Sequence, residues 1–168
     1  PYCYTHKNRS SFKILTKAGM LWETPQEEAI KKGNAIHYIL SQIHSYKDVE
    51  AAMKLALQKG FIMSDELASI KDKVLQVVTH PKLIPLFGEE NTVYNEKEIL
   101  LANGQKLRPD RVVLINNKAS ILDYKTGRGN PEYKEQVLSY ANALETMGYS
   151  VDKRIIVYID TTITAEFI

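Results

Sequence analysis

Apolar residues recur at helical spacing in the first half of the chain. Thr24-Pro25-Gln26-Glu27 has the features of a helix start, because Thr is a good N-cap, Pro suits the first helical position and Glu can complete a capping box. The pattern predicts that this first helix runs to about Ser45. Two further helices, which we interpret as scaffold, and a short turn or single helical segment are predicted over residues 48–58, 64–80 and 81–87.

The first predicted helix contains a glycine within its apolar stripe. Gly33 lies in the stripe, and His37 lies one turn further along beside it. Glycine costs about 1 kcal/mol in a helix interior. We therefore expect another segment to approach closely at Gly33, with His37 carried toward that segment. The stripe consists of Ala29, Ile30, Ile36, Leu40 and Ile43.

After Gly88 the pattern changes to short runs typical of strands. Asn103-Gly104 and Asn116-Asn117 separate the first three runs, which predicts an antiparallel meander. The later order of strand, helix and strand predicts a right-handed crossover in which the fourth strand is parallel to the third. The predicted strands cover residues 92–102, 106–115, 119–124, 151–159 and 162–168, and the helix covers 131–147. The predicted fold class is α/β, with a mixed β-sheet (antiparallel meander plus a parallel crossover strand) flanked by helices.

The hairpin around Asn116-Asn117 predicts a group of charged side chains. Asn tolerates the positive φ of a tight turn, and a two-residue turn here places Asp110 directly opposite Asp123, with Cβ atoms about 4.5–5.5 Å apart. Alternation along the strand puts Lys125 on the same face and Tyr124 on the other. Two carboxylates this close repel each other unless a cation lies between them, and Mg²⁺ prefers oxygen ligands. A three-residue turn would shift the pairs by one and weaken this argument.

The preceding turn at Asn103-Gly104 is interpreted in the same way. A two-residue turn there places Lys97, and not Glu98, opposite Asp110, so we leave Glu98 out of the group that contacts a cation. Pro109 removes one ladder donor beside Asp110, which suits a strand end, an edge or a bulge better than a position within a regular strand.

The length and composition indicate one ordinary globular domain. The chain has 168 residues, of which 44% are hydrophobic and 25% are charged. Residues 1–22 show no clean period and are predicted to be irregular, with a short strand or helix around residues 12–15. The sequence begins with Pro rather than Met, and we expect it to be a fragment of a longer polypeptide.

Charge and cysteine content restrict the possible partners and cofactors. A net charge of +2 does not mark a bulk polyanion binder, so contact with nucleic acid must rest on local clusters of basic residues. The single Cys3 excludes internal disulfides and an iron–sulfur cluster and favours a reducing compartment. No apolar run has the length of a membrane span and no signal-peptide pattern is present, so we expect a cytoplasmic protein that does not contact a membrane. The basic residues near the hairpin are Lys106, Arg108, Arg111, Lys118, Lys125 and Arg128.

Four short motifs occur in a defined order: G-N-A-I-H (33–37), P-D (109–110), D-Y-K-T-G (123–127) and Q-V-L-S-Y (136–140). In this combination the chain resembles the nuclease domain of the RecB/AddA family, within the PD-(D/E)xK nuclease superfamily. The resemblance covers about residues 33–159. It implies a restriction-endonuclease-like core, a single nuclease domain over residues 1–168, and exonuclease-type DNA cleavage in repair and recombination. It also implies a helicase region in the same longer chain and a partner subunit.

The resemblance implies a role for each motif residue. His37, Asp110 and Asp123 would bind Mg²⁺ or Mn²⁺, together with the backbone carbonyl of Tyr124. Lys125 would orient or help deprotonate the attacking water and stabilise charge on the scissile phosphate. These roles agree with the chemistry, because a metal ion activates water and polarises a phosphoryl oxygen, and a lysine adds positive charge where negative charge develops.

Three further residues are candidate supporting groups. Gln136 and Tyr140 would face the site from one side of a helix and position the substrate or the lysine, and Arg128 is a candidate substrate contact in the preceding loop. The two helix residues are alternatively an ordinary helix face. Two other functions stay open: a non-catalytic nucleic-acid-binding or structural module of the same fold, and a free-standing restriction-type endonuclease.

Overall fold

The computed structural model describes residues 25–127 and 129–168. The predicted irregular segment 1–22, the Thr24 cap and the candidate substrate contact Arg128 lie outside the described residues. The α-helices are α1 (Pro25–Ser41), α2 (Val49–Gln58), α3 (Leu67–Val78) and α4 (Glu132–Thr146), and short 3₁₀ helices cover Tyr46–Asp48 and Ile84–Phe87. The strands are β1 (Thr92–Asn95), β2 (Ile99–Leu100), β3 (Lys106–Leu107), β4 (Arg111–Ile115), β5 (Lys118–Lys125), β6 (Ser150–Ile159) and β7 (Ile163–Phe167).

The main sheet has five strands in the order β1-β4-β5-β6-β7. Strands β1, β4 and β5 form the predicted antiparallel meander, β6 is parallel to β5 as the crossover requires, and β7 is antiparallel to β6. The fold class is therefore α/β with a mixed sheet flanked by helices, as predicted, and it fits the core that the resemblance implies.

Each of the first two predicted strands is broken in two. The first stops at Glu96, which has a φ of +52°, and the second is interrupted before Arg111, beside Pro109, which has no N–H for a ladder bond. The outer halves of these strands, β2 and β3, form a separate two-stranded sheet. The prediction of continuous strands over 92–102 and 106–115 is wrong for this reason, although Pro109 does lie at a strand end.

Two predicted helix bounds also differ from the structure. α1 ends at Ser41 rather than Ser45, because the Asp48 carboxylate accepts the N–H groups of His44 and Ser45 and turns the chain into a 3₁₀ helix. α3 begins at Leu67 rather than at Ser64.

The two faces of the sheet are covered by different helices. α1, α2 and α3 pack on one face, against side chains that include Val113, Leu122 and Tyr124. α4 packs on the other face, against side chains that include Ile121 and Ile156. The predicted stripe of α1 is correct for Ile36, Leu40 and Ile43, which are buried, but wrong for Ala29 and Ile30, which are exposed.

Candidate active site

The Asn116-Asn117 hairpin has the predicted register. Both asparagines have positive φ, +49° and +64°, and the ladder pairs Ile115 with Lys118 and continues without a shift to Arg111 and Leu122. The ladder ends there, so the predicted direct pair of Asp110 and Asp123 is not formed as a ladder pair. The Asp110 carboxylate instead accepts the backbone N–H of Tyr124 at 2.7 Å.

Asp110 is a carboxyl group in an environment that disfavours its charge. Burial, and then the negative charge of Asp123, raise its pKa to about 7. Asp110 Oδ2 lies 3.6 Å from His37 Nδ1, and burial lowers the pKa of His37. A neutral imidazole with a free lone pair beside a carboxylate is an arrangement that can bind a metal ion.

Glu96 lies beside these two residues, and the sequence argument missed it. Its backbone N–H donates to the Asp110 carbonyl at 3.0 Å, and ligand atoms of His37, Glu96 and Asp110 lie within 4.8 Å of one another. We call these three residues the acid cluster. Arg108 Nε lies 3.0 Å from Glu96 Oε2 and partly balances its charge from the solvent side.

The prediction missed Glu96 because it assigned the wrong turn. The loop at Asn103-Gly104 has three residues, with Leu101 N–H bonded to the Gln105 carbonyl, and so every pair shifts by one. Glu96, rather than Lys97, is therefore opposite Asp110. Gly104 has a φ of +83°, which suits the last position of a three-residue loop, but Asn-Gly suits a two-residue turn equally well, so the sequence did not separate the two registers. Glu98 lies elsewhere, paired with Lys106 at 2.9 Å.

A second group of side chains starts at Asp123. Its Oδ2 lies 2.6 Å from Lys125 Nζ, and Lys125 Nζ donates to Gln136 Oε1 at 2.9 Å. Gln136 Nε2 donates in turn to Tyr140 Oη at 2.6 Å. We call Asp123, Lys125, Gln136 and Tyr140 the lysine chain. The Tyr133 ring, with its centroid 4.6 Å from Lys125 Nζ, also holds the ammonium group by a cation–π contact.

The alternation predicted for the end of β5 is correct. Lys125 shares the α4 face with Asp123, whereas Tyr124 packs in the core under α1 and makes an edge contact with the His37 ring. A hydrogen bond from the His37 imidazole to the backbone of Tyr124 raises the pKa of His37, against the effect of burial.

Asp123 is buried with one oxygen incompletely satisfied. Its contact with Lys125 lies outside hydrogen-bond geometry, so Oδ2 has no hydrogen-bond donor among the described residues. Burial raises the pKa of Asp123, and Lys125 opposes that shift. A buried carboxylate oxygen without a donor, next to the acid cluster, fits a site for a divalent cation, since buried charges are paired or coordinate metals. One nitrogen and several carboxylate oxygens do not distinguish Mg²⁺ from other divalent ions.

Gly33 brings α1 to this site, as the sequence predicted. A Cβ at Gly33 would collide with Thr126 Oγ1 and lie 3.3 Å from Thr126 Cβ. Thr126 directly follows Lys125, so the missing side chain of Gly33 lets the helix that carries His37 reach the end of β5.

The described members of the predicted basic cluster do not form a single patch. Arg111 is fully buried, and Lys106 and Arg108 are paired with acidic residues. Lys118 lies at the opposite end of β5 from Lys125. Among the residues that the structure describes, no helix is long and apolar enough to cross a membrane.

Comparisons with known proteins add little to this geometry. No protein-family model matches the chain, and no curated protein is significantly similar to it. It is similar to a solved structure described as "Crystal structure of SSO0001", with 18% identity and a TM-score of 0.35. The matched region covers 80% of this chain and 65% of that one, and a similarity at this level carries no argument about function.

Proposed function

We propose that this chain is a metal-dependent deoxyribonuclease domain of the RecB/AddA type that hydrolyses phosphodiester bonds. The observation that carries the proposal is the meeting of His37, Asp110 and Asp123 with Lys125 at one end of the sheet. These residues come from a helix, a strand end and a neighbouring strand. The burial of two repelling carboxylates is costly unless a cation or proton compensates for it.

Each residue has a chemical task in this proposal. The acid cluster and Asp123 would hold Mg²⁺ or Mn²⁺, with the Tyr124 carbonyl as a further oxygen ligand. The ion would supply Lewis-acid polarisation of the phosphoryl oxygen and a lowered pKa for the attacking water.

Lys125 supplies a fixed positive charge next to Asp123, where a scissile phosphate gains negative charge in the transition state. Gln136 accepts a hydrogen bond from the ammonium group and is itself held by Tyr140, so the two keep the lysine oriented. The ammonium group therefore needs little rearrangement during the reaction.

The wider context belongs to the same proposal. The substrate is DNA, cleaved by exonuclease-type action, and the domain works in a longer helicase-nuclease chain with a partner subunit in the cytoplasm. The order of the four motifs within residues 33–159, and the resemblance to the RecB/AddA family that this order gives, support this part of the proposal.

The test is cleavage of linear single- and double-stranded DNA with Mg²⁺, with Mn²⁺ or with EDTA. Cleavage should require the metal ion, disappear in Asp123→Ala, and fall by about a hundredfold or more in Lys125→Met. Asp152→Ala and Lys118→Met are matched controls, because both residues are exposed and lie away from the site on the same sheet. Cleavage that persists in EDTA, or at the wild-type rate in the two site variants, would contradict the proposal.

The second candidate function is a non-catalytic module that binds nucleic acid. Among the described residues, Lys106 and Arg108 are paired with carboxylates and Arg111 is buried, which disfavours this candidate because binding without cleavage needs a positively charged face. DNA binding without cleavage in every metal would favour this candidate. Cleavage of circular as well as linear DNA would favour a restriction-type endonuclease.

A further inference from the structure

Helix α1 is fixed to the sheet on both sides of His37. Gly33, four residues before His37, packs on Thr126. Ser41, four residues after His37, is the last residue of α1. One turn of an α-helix takes 3.6 residues, so each attachment lies about one turn from the imidazole.

The second attachment uses the carbonyl group of the last helix residue, Ser41, and that of Ile43 just beyond the helix. Asn95 Nδ2 donates to the carbonyl oxygens of Ser41 and Ile43, both at 2.9 Å. The last carbonyls of a helix have no partner within the helix and carry a partial negative charge. Asn95 therefore binds the C-terminal end of α1 directly to strand β1.

Arg111 strengthens the same attachment. Its guanidinium is fully buried and donates to the carbonyl oxygens of Ile43 at 2.6 Å, His44 at 2.7 Å and Leu86 at 2.9 Å. It also donates to Asn95 Oδ1 at 3.1 Å. No carboxylate of the described residues lies within ion-pair distance of it, so backbone carbonyls are its main partners.

The positions of Asn95 and Arg111 in the sheet connect this attachment to the acid cluster. The two residues are directly opposite each other in the β1–β4 ladder, and Glu96 and Asp110 are the next residues outward on the two chains. Two adjacent levels of the same hairpin thus hold the end of α1 and present the two carboxylates.

We propose that Asn95 and Arg111 are positioning residues that set the place of His37 relative to the two carboxylates of the acid cluster. They thereby determine how tightly the site binds a divalent cation. This inference rests on the proposed function, because it takes the acid cluster to be a cation site.

The matched control is Asn91, which lies just before β1. Its Nδ2 donates to the Pro85 carbonyl at 2.8 Å, so Asn91→Ala also removes an asparagine-to-carbonyl hydrogen bond, but one that does not involve α1. A purely stabilising role for Asn95 would make the two alanine variants alike in cation affinity. A positioning role predicts a lower cation affinity for Asn95→Ala than for Asn91→Ala.

The experiment is a calorimetric titration of Mn²⁺ into the chain and its variants, with urea unfolding in EDTA as a check of the fold. We expect Asn95→Ala to weaken Mn²⁺ binding by about tenfold to a hundredfold, the usual effect of losing an outer-shell partner, and Asn91→Ala to leave it unchanged. Asn95→Leu should bind as weakly as Asn95→Ala, since leucine refills the volume without restoring the hydrogen bonds. Asn95→Leu also provides the test where the alanine variant does not fold.

The outcomes separate the inference from the proposed function. Tight Mn²⁺ binding by wild type, with equally tight binding by both Asn95 variants, overturns the inference and leaves the proposed function intact. Recovery of affinity in Asn95→Leu also overturns it, because the loss in Asn95→Ala would then come from a cavity. Absence of Mn²⁺ binding by wild type overturns the cation site, and the inference with it.

Discussion

The acid cluster and the lysine chain lie side by side at one end of the sheet, but their charges are balanced in different ways. In the lysine chain, the Asp123 carboxylate has an ammonium group 2.6 Å away, and two further side chains hold that ammonium by hydrogen bonds. In the acid cluster, burial and the nearby Asp123 charge raise the pKa of Asp110 to about 7, and the neighbouring His37 has a lowered pKa.

This difference indicates which half of the site depends on a ligand. In the lysine chain, the charge of Asp123 is balanced by the Lys125 ammonium group, although Asp123 Oδ2 has no hydrogen-bond donor among the described residues. The acid cluster has two carboxylates and a neutral imidazole. Among the described residues, Arg108 forms an ion pair with Glu96, and no lysine or arginine forms one with Asp110. A cation or a proton is needed to compensate it.

The largest effect should come from Asp110→Asn. The amide keeps the size of the side chain but removes a charge and a direct ligand from the acid cluster, so we expect DNA cleavage to fall by more than about a thousandfold, beyond the range for loss of one group that stabilises the transition state. Steady-state cleavage of labelled linear DNA measures this effect, with Asp152→Asn as control. Wild-type cleavage in Asp110→Asn would show that the acid cluster is not the cation site.

Lys125→Met should reduce cleavage by about a hundredfold to a thousandfold, the range for loss of one group that stabilises the transition state. Mn²⁺ binding should persist, because the acid cluster is unchanged. Single-turnover cleavage and Mn²⁺ calorimetry on the same sample separate the two quantities. Loss of both would mean that the two halves of the site do not act independently.

The metal-free protein should become less stable as the pH rises. Since the folded pKa of Asp110 is raised to about 7 from an ordinary value of 3.8, its contribution to stability is complete below about pH 4 and is lost as the pH rises through 7. One pKa unit corresponds to about 1.4 kcal/mol, so the loss amounts to a few kcal/mol.

Urea unfolding in EDTA at pH 5, 6, 7 and 8 measures this loss, with Asp110→Asn as the comparison. The wild type should lose more free energy of unfolding than the variant over this range. The lowered pKa of His37 has an effect of the opposite sign on the free energy of unfolding, but it is present in both proteins. The difference between their pH profiles therefore reports on Asp110. If the free energy of unfolding had the same pH dependence in wild type and in Asp110→Asn, the raised pKa of Asp110 would be contradicted.

The smallest effect should come from Gln136→Leu, which removes two hydrogen bonds of the lysine chain but no charge. We expect cleavage to fall about tenfold, since a hydrogen bond to a charged group contributes about 1.5–3 kcal/mol. Gln105→Leu serves as control, because Gln105 is an exposed glutamine in the β2–β3 loop. An unchanged rate for Gln136→Leu would favour the alternative that this residue is an ordinary helix face.

The lysine chain was predictable from sequence, and the acid cluster only in part. Asn116-Asn117 specifies a two-residue turn through its positive φ values, and that turn fixes which faces Asp123 and Lys125 share. The other turn contains Gly104, which is compatible with loops of two or three residues. The predicted strand register was therefore wrong by one residue, and Lys97 rather than Glu96 was placed opposite Asp110.

Long-range contacts explain the rest of what sequence could not supply. Arg111 was predicted among the basic residues near the hairpin that could contact nucleic acid, but it lies buried against the segment that follows α1. Its main partners are backbone carbonyls, which are the same in every sequence and leave no pattern. Gly33 was the exception, because a glycine in an apolar stripe signals a close contact even when the partner, Thr126, is unknown.

The central claim is that the acid cluster binds a divalent cation. Calorimetric titration of Mn²⁺ at pH 8 into wild type, Asp110→Asn and Asp152→Asn tests it most directly, because no DNA and no turnover are involved. Wild type and Asp152→Asn should bind Mn²⁺ saturably, and Asp110→Asn should show no measurable binding. Equal binding by all three proteins, or none by wild type, would contradict it.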